Sequence, residues 1–437
     1  MILATLEPEA TPFAGSLQAL LSEAGSSKDP LQALRMQARR RFEEIGLPSR
    51  KTEAFQYFPL KSFYENRIAM TTSSSVVEED LIERHIVPEC RGSCLVFVDG
   101  HYRQELSIFD NIDPKVGVLF LEEAMKTFGH FLQVRMTKQI KEEQDPFALL
   151  NLAVHPKGAF LYVPPKLTVE HPIQILHVVT QEGALTAPRL QVFVGSQSDV
   201  KLYSTTCTCN CQGGVVLDVV DIILEDSARV EQMSTACMRS QGWGMEFLRG
   251  SLKNDSTLTL NQVAKNTVGY RRDIKIDLLG SNASAKIQGL ALLSDRQQTH
   301  TRIVVNHKAP HTESKQHFKG ILSGHSQSSF EGQIIVERAA QKTQAYQLCN
   351  HLLLGDRAIA HSKPNLEIFA DDVKASHGAT MTQLKGEELL YLKSRGIDQR
   401  QAKNLLIEAF CQEIASTVFL RSLRTELDHF IRSYAQD

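Results

Sequence analysis

Short apolar runs, each closed by a polar turn, fill the middle of the chain from about residue 155 to 361. Those at 160–163, 173–179, 190–194, 200–203, 215–224, 258–263, 274–279, 303–305 and 334–336 are rich in β-formers and bounded by Gly, Pro, Asn, Asp or Ser. This predicts brief strands with no long helix between them. The turns also echo one another. V-G-S-Q-S-D-V from Val194, L-E-D-S-A-R-V from Leu224, L-K-N-D-S-T-L from Leu252, L-G-S-N-A-S-A-K-I from Leu279 and L-S-G-H-S-Q-S-S-F from Leu322 start 30, 28, 27 and 43 positions apart. A polar turn and β-branched re-entry at near-constant period is what stacked β-coils produce, so a mainly β fold with a β-helix or flattened solenoid is expected. A sandwich of short strands satisfies the same periodicity.

Either side the period becomes helical. Leu17, Leu20 and Leu21 share one face, and Leu31, Leu34, Met36 and Phe42 another. A second helical stretch near 121–154 carries Phe128, Phe131, Leu132, Val134 and Met136, then Phe147, Leu149, Leu150 and Leu152. After Thr380 the strands stop. A short helix from Glu387 closes at Arg395-Gly396, and Asp398 is a good N-cap for the next. That helix is read with Ala402, Leu405, Leu406, Ala409, Phe410 and Ile414 on one face; Val418, Leu423, Leu427, Phe430 and Ile431 continue the pattern. The expected organisation is 1–85 helical, 86–380 β-helix with the insertion near 121–154, and 381–437 helical. At the seam lies P-N-L-E-I-F-A-D-D-V-K-A-S-H-G-A-T (364–380), with a bend at Asp371-Asp372, a turn at Gly378 and His377 at a strand end.

The charge balance narrows the partners. With 48 basic and 50 acidic residues and a pI near 6.7, no long-range field favours nucleic acid or an anionic membrane. The run Arg39-Arg40-Arg41 reads as a solvated helix face. The start, M-I-L-A-T-L-E-P-E-A-T-P-F, has neither a basic nor an apolar leader region, and no window approaches the ~18 apolar residues of a membrane span, which predicts a soluble, cytoplasmic chain. Eight cysteines without a secretion signal then read as reduced thiols.

Phosphate-loop, dinucleotide, zinc-protease, nucleophile-elbow and C-x-x-C motifs are all missing from the sequence. Cys207, Cys209 and Cys211 form the most metal-like cluster. Alternate residues of a straight strand lie ~6.5–7 Å apart, whereas thiolates ~2.3 Å from one zinc lie within ~4 Å of each other. Small thiols lining an interior are therefore expected there. Cys90, Cys94, Cys237, Cys349 and Cys411 read as core or surface thiols. His300, His307, His311, His317 and His325 fall among turns and strands with no register to converge them, and Asp371-Asp372 reads as a solvated bend rather than a carboxylate pair.

A-D-D-V-K-A-S-H-G-A-T, then L-L-Y-L-K-S-R-G-I and A-K-N-L-L-I-E-A-F, resembles the signature of the SufB/SufD family of iron–sulfur cluster assembly proteins. F-K-G-I-L-S-G, F-E-G-Q-I-I-V, A-A-Q-K-T-Q-A-Y-Q and N-H-L-L-L-G-D, between His317 and Leu354, extend the resemblance over the last third. P-S-R-K-T-E-A-F-Q-Y-F-P-L (48–60) is similar to the family's N-terminal element, with Phe55 where a tryptophan is usual. The resemblance implies a right-handed β-helix (solenoid) core flanked by helical N-terminal and C-terminal regions. It implies a non-enzymatic subunit of a SufBCD complex that supports iron entry and cluster formation. A SufB-like scaffold would pair through the final strands, and a SufC-like ABC ATPase would dock on the C-terminal helices. It singles out His377 as a ligand for a nascent iron–sulfur cluster at the partner interface, with no cofactor held stably by the isolated chain. Homodimers through the same edge, and reduced flavin on the whole complex, are further implications. The SufD side is favoured because H-G-A-T replaces the glutamate that follows this histidine in SufB-like chains. Family members commonly carry Cys two residues before the histidine; here that position is Ala375. A carbohydrate-active β-helix enzyme and a stand-alone cluster scaffold are the alternatives. A single tryptophan and no export signal argue against the first.

Overall fold

The computed structural model describes residues 11–24, 29–71, 75–154, 158–208, 213–236, 242–265 and 267–434. From the strand Arg189–Val194 to the strand Val373–Thr382 the chain alternates between two sheets. Each strand pairs in parallel with the one two places on, so fourteen strands make seven coils of a solenoid. Before the first coil the sheets continue in parallel, one through Ala159–Val163 and the other through Ile173–Val179 to Cys94–Val98. They end in antiparallel pairings of Gly117–Phe120 against Ala159–Val163 and of His101–Tyr102 against Cys94–Val98. At the other end the sheets finish on Ile359–Ile368 and Val373–Thr382.

The period comes from a corner. Gln197, Ser227, Asp255, Asn282, His311 and Lys342 occupy it in successive coils, each with φ of 56–62°. Their backbone N–H groups donate to carbonyls one coil further on, as from Ser227 to Asn254 at 2.8 Å and from His311 to Gln341 at 2.9 Å. Short polar side chains tolerate this left-handed conformation best, which is why Asp, Asn and Ser recur in the turns. The first repeats read from the sequence share this corner: Leu224 is in register with both Val194 and Leu252. The fifth does not. Leu322 pairs with Leu293 and Leu353 in the other sheet, and its turn places Gly324, φ 62°, at the opposite corner. The spacing of 43 is therefore one and a half coils.

Alternating Leu, Ile and Val from both sheets fill the interior, among them Leu202, Ile222, Leu260, Ile276 and Ile303. The outer faces are equally apolar and need cover. Over one sheet, Leu217, Val219, Trp243 and Phe247 pack against Phe13, Leu34, Phe63 and Leu149 of the N-terminal and inserted helices. The helix Pro146–Val154 is buried on every side, so it lies between that sheet and the other helices. Over the second sheet, Tyr203, Met233, Val263, Leu290 and Ile321 pack against the helices Gln399–Ala415 and Arg421–Tyr434. The buried stripe of Gln399–Ala415 is Ala402, Ile407, Cys411, Ile414 and Ala415; Leu405 and Ala409, read from the sequence as part of it, point outward. Asp398 caps this helix with bonds of 2.9 and 3.0 Å from the N–H groups of Arg400 and Gln401.

Buried charge secures the helical layer. Asp273 lies 2.9 Å from Arg249, 3.0 Å from Arg271 and 3.2 Å from Arg302, and Arg249 reaches on to Glu143 at 2.7 Å. Burial pushes the Asp273 carboxyl up, but the three guanidiniums outweigh it and hold it well below the usual carboxylate range. Arg271 also covers the Phe55 ring at 4.2 Å. That N-terminal segment reaches the far end of the solenoid: Tyr57 stacks on His361 at 4.4 Å, and Glu53 pairs with Lys363.

Candidate functional site at the open end of the solenoid

The strand Val373–Thr382 runs through Gly378 without a turn, so His377 sits at mid-strand rather than at a strand end. Val373 and Ala375 pack against the buried Ile334, Val336 and Ala345, which places the odd-numbered row toward the interior. Strand alternation puts His377, Ala379 and Met381 in the same row. Gly378 lies beside Leu348 in the outer row. His377 is in register with Gln347, which is 3 % exposed, and Gln347 with Gln316 of the preceding coil. Three consecutive coils thus form a polar row, Gln316–Gln347–His377, and only its last member is open to solvent. Among the described residues the side-chain amide groups of both glutamines have no hydrogen-bond partner. Gly332 opposes them: a Cβ there would come within 3.0 Å of the Gln316 Oε1 and Gln347 Nε2 atoms. A larger residue would fill the gap into which the amides point.

Two positions along the same row lies a second polar cluster. Cys349 Sγ is 3.7 Å from His351 Nδ1, His351 Nε2 is 3.3 Å from Ser328 Oγ, and Ser362 Oγ is 3.5 Å from the sulfur. Burial pushes the Cys349 thiol up to about 12 and the His351 imidazole down to about 4. Both are neutral near pH 7 and stay so while water is excluded.

No further coil covers the last one among the described residues. Ile368 and Met381 are 39 and 48 % exposed, whereas their register partners one coil back, Val336 and His351, are buried. Each terminal strand has one paired edge and one free edge, the arrangement that accepts another strand. The helix Gly386–Ser394 follows directly and leaves Leu390 and Tyr391 in solvent, with Leu405 of the next helix also exposed.

The other residues noted from the sequence have local roles. Asp371 and Asp372 are exposed, and Asp372 completes the corner ladder by accepting from Lys342 N–H and donating its own N–H to Gln341 Oε1 at 3.0 Å. His300 bonds Ser329 at 2.8 Å, and burial pushes it down to about 3. His307 lies in the interior, His311 forms a corner, His317 faces Glu413 at 3.6 Å, and His325 lies 3.0 Å from Arg357. No three His, Cys, Asp or Glu side chains converge on one point among the described residues. Cys90, Cys94, Cys349 and Cys411 are buried, while Cys207 touches His85. Cys209, Cys211 and Cys237 lie outside the described residues. Sequence reasoning missed the polar row, whose only signal is a repeated Gln at interior parity, and the Cys349–His351–Ser362 cluster, which requires the register of two sheets.

Residues 177–410 match the family model described as the SUF system FeS cluster assembly, SufBD core domain, and residues 18–175 match the SufBD protein N-terminal region. An iron-sulfur cluster assembly SufBD family protein of Synechocystis is 28 % identical over 94 % of this chain and 93 % of its own length. The iron-sulfur cluster assembly protein SufD of Escherichia coli is 25 % identical over 93 % of each. Protein ABCI7, chloroplastic, of Arabidopsis thaliana is 27 % identical over 98 % of this chain and 90 % of its own. Among the described residues no helix is long and apolar enough to cross a membrane. With both parts of the family's architecture matched in order along the whole solenoid and its helical cover, the chain belongs to the SufBD family of the SUF iron–sulfur cluster assembly system.

Proposed function

We propose that the chain is a SufD-type, non-catalytic subunit of a cytoplasmic SufBCD-like assembly complex. The observation that carries this reading is the open last coil, where two free strand edges flank an exposed imidazole. A SufB-like scaffold would add its own terminal strands to those edges, each new pair being secured by main-chain hydrogen bonds. Joining would bury Ile359, Ile368 and Met381 and enclose His377 at the junction. A neutral imidazole is a competent iron ligand, and a nascent cluster, as cargo, would take its remaining ligands from the partner because Ala375 offers none. The same edges allow a second copy to pair when no scaffold is present. Leu390, Tyr391 and Leu405 form the apolar surface on which a SufC-like ATPase would dock. Nucleotide-driven closure of that ATPase would then pull on helices fixed to the solenoid wall.

The test is the complete complex purified with wild-type chain or His377→Ala and assayed for bound iron. A loss of about half or more of the iron with unchanged subunit stoichiometry is expected; equal iron in both would remove His377 from the site. The isolated chain should remain nearly colourless after incubation with iron and sulfide. A stable brown product would favour the stand-alone scaffold.

A further inference from the structure

Among the described cysteines only Cys207 is not buried. It lies near the end of the strand Asp199–Thr208, far from the open coil, and its Sγ is 3.0 Å from Nε2 of His85, the last residue of the helix Glu79–His85. The other ring nitrogen, Nδ1, is 2.8 Å from the Leu81 carbonyl one turn back. A carbonyl only accepts, so Nδ1 carries the proton and Nε2 turns its lone pair toward the thiol. The pair opens into a cavity of about 460 Å³ between that helix, the sheet and the helix Arg421–Tyr434. Sites for small ligands span roughly 300–1,000 Å³. Charged groups on its walls are Arg84 beside His85, Lys265 from the sheet, and Glu426 from the last helix, which pairs with Lys265. By contrast, burial pushes the thiols of Cys90, Cys349 and Cys411 up to about 12.

We propose that Cys207 is a nucleophilic thiol that reacts with sulfur electrophiles, compounds carrying a sulfur–sulfur bond, that enter this cavity. His85 Nε2 takes the thiol proton, leaving a thiolate beside an imidazolium. The thiolate attacks one sulfur of the ligand. A Cys207–sulfur bond forms as the sulfur–sulfur bond breaks, and the electron pair departs on the second sulfur, which takes the proton from His85. The ligand is reduced as the thiol is oxidised, so no other oxidant is needed. A small disulfide leaves a mixed disulfide, whereas a polysulfide leaves one extra sulfur atom. This chemistry stands whether or not the chain acts in a SufBCD-like complex.

The full chain, freshly reduced, is treated in separate arms with oxidised glutathione and with inorganic polysulfide, then followed by intact mass and peptide mapping. Cys207 is expected to react first, gaining one glutathionyl group in one arm and one sulfur atom in the other; reaction in only one arm assigns the source. Iodoacetamide labelling across pH reads the thiolate directly. Wild-type Cys207 should label at about pH 6 at least tenfold faster than free cysteine, whose thiol titrates near 8.5. His85→Gln, at an exposed helix end, should remove most of that advantage at about pH 6 and little of it at about pH 9. Labelling of wild-type Cys207 with the pH profile of free cysteine overturns the proposal, as does first reaction at Cys209, Cys211 or Cys237.

Discussion

His307 illustrates how a single interior polar residue sets a pH response. Its ring bonds Thr312 Oγ1 and Ser314 Oγ, both at 2.8 Å, and Thr312 in turn donates to the Ala309 carbonyl. Two hydroxyls suit a neutral imidazole, one accepting and one donating. Burial lowers its pKa from 6.5 to about 4. The unfolded chain therefore takes up a proton near pH 6.5 that the folded chain refuses until about pH 4, and stability is lost as pH falls between them. Between about pH 7 and pH 5 the wild type should lose about 2 kcal/mol more than His307→Gln. Urea unfolding of both at the two pH values checks this, and parallel losses would mean that the ring is protonated in the fold. Chemistry at this scale was only partly legible in the sequence. His377 stood out through its family signature, but Cys207 and His85 are 122 positions apart and meet only once the helix is laid on the sheet. The run R-R-D at 271–273 carries three charges, yet all three side chains are buried because their counter-charges arrive from residues such as Asp145, Glu246 and Arg249, distant in sequence or on neighbouring strands.

At the scale of the element, the repeating corner accounts for both the success and the error of the periodicity. Four echoes marked one corner correctly because the left-handed backbone selects Asp, Asn, Ser and other polar residues there. The echo at Leu322 misled because a polar turn with a left-handed residue also occurs at the opposite corner, and composition alone cannot separate them. Gly378 misled in the same way: glycine signals a turn only when nothing else extends the strand, and here pairing with Leu348 does. The corner gives a direct test. Ser227, φ 60°, is strained for most side chains, so Ser227→Gly should raise stability by about 0.5–1 kcal/mol, and Ser227→Val should lower it by about 1–2 kcal/mol. The order of the two melting temperatures relative to wild type decides; Ser227→Val above wild type would show that the corner has relaxed out of the left-handed region.

The whole molecule is a short solenoid with one closed and one open end, covered on both flat faces. Because each coil touches mainly its neighbours, a change at the open end should leave the rest untouched. Replacing Ile359 and Ile368 together by Lys places charge on side chains already 43 and 39 % exposed. Lysine on an edge is a common guard against strand addition. The double variant should keep the wild-type melting temperature within a few degrees yet fail to co-purify with a SufB-like scaffold or to self-associate on a sizing column. Retained pairing would place the interface elsewhere on the molecule. That the fold has an open end was not deducible from periodicity, which repeats identically in capped and uncapped arrays.

The path of the tail has one more consequence. After the last strand the chain doubles back, and its tail fastens to earlier elements: Lys319 Nζ donates to the Phe410 carbonyl at 3.0 Å, Thr417 bonds Asn261 at 3.2 Å, and Ser422 bonds Glu89, ahead of the solenoid, at 2.5 Å. A protease cut between the final strand and these helices would not free a tidy β-domain. Separation would strip Tyr203, Met233, Val263, Leu290 and Ile321 bare along one broad wall, so the two fragments would remain clasped or, once parted, precipitate.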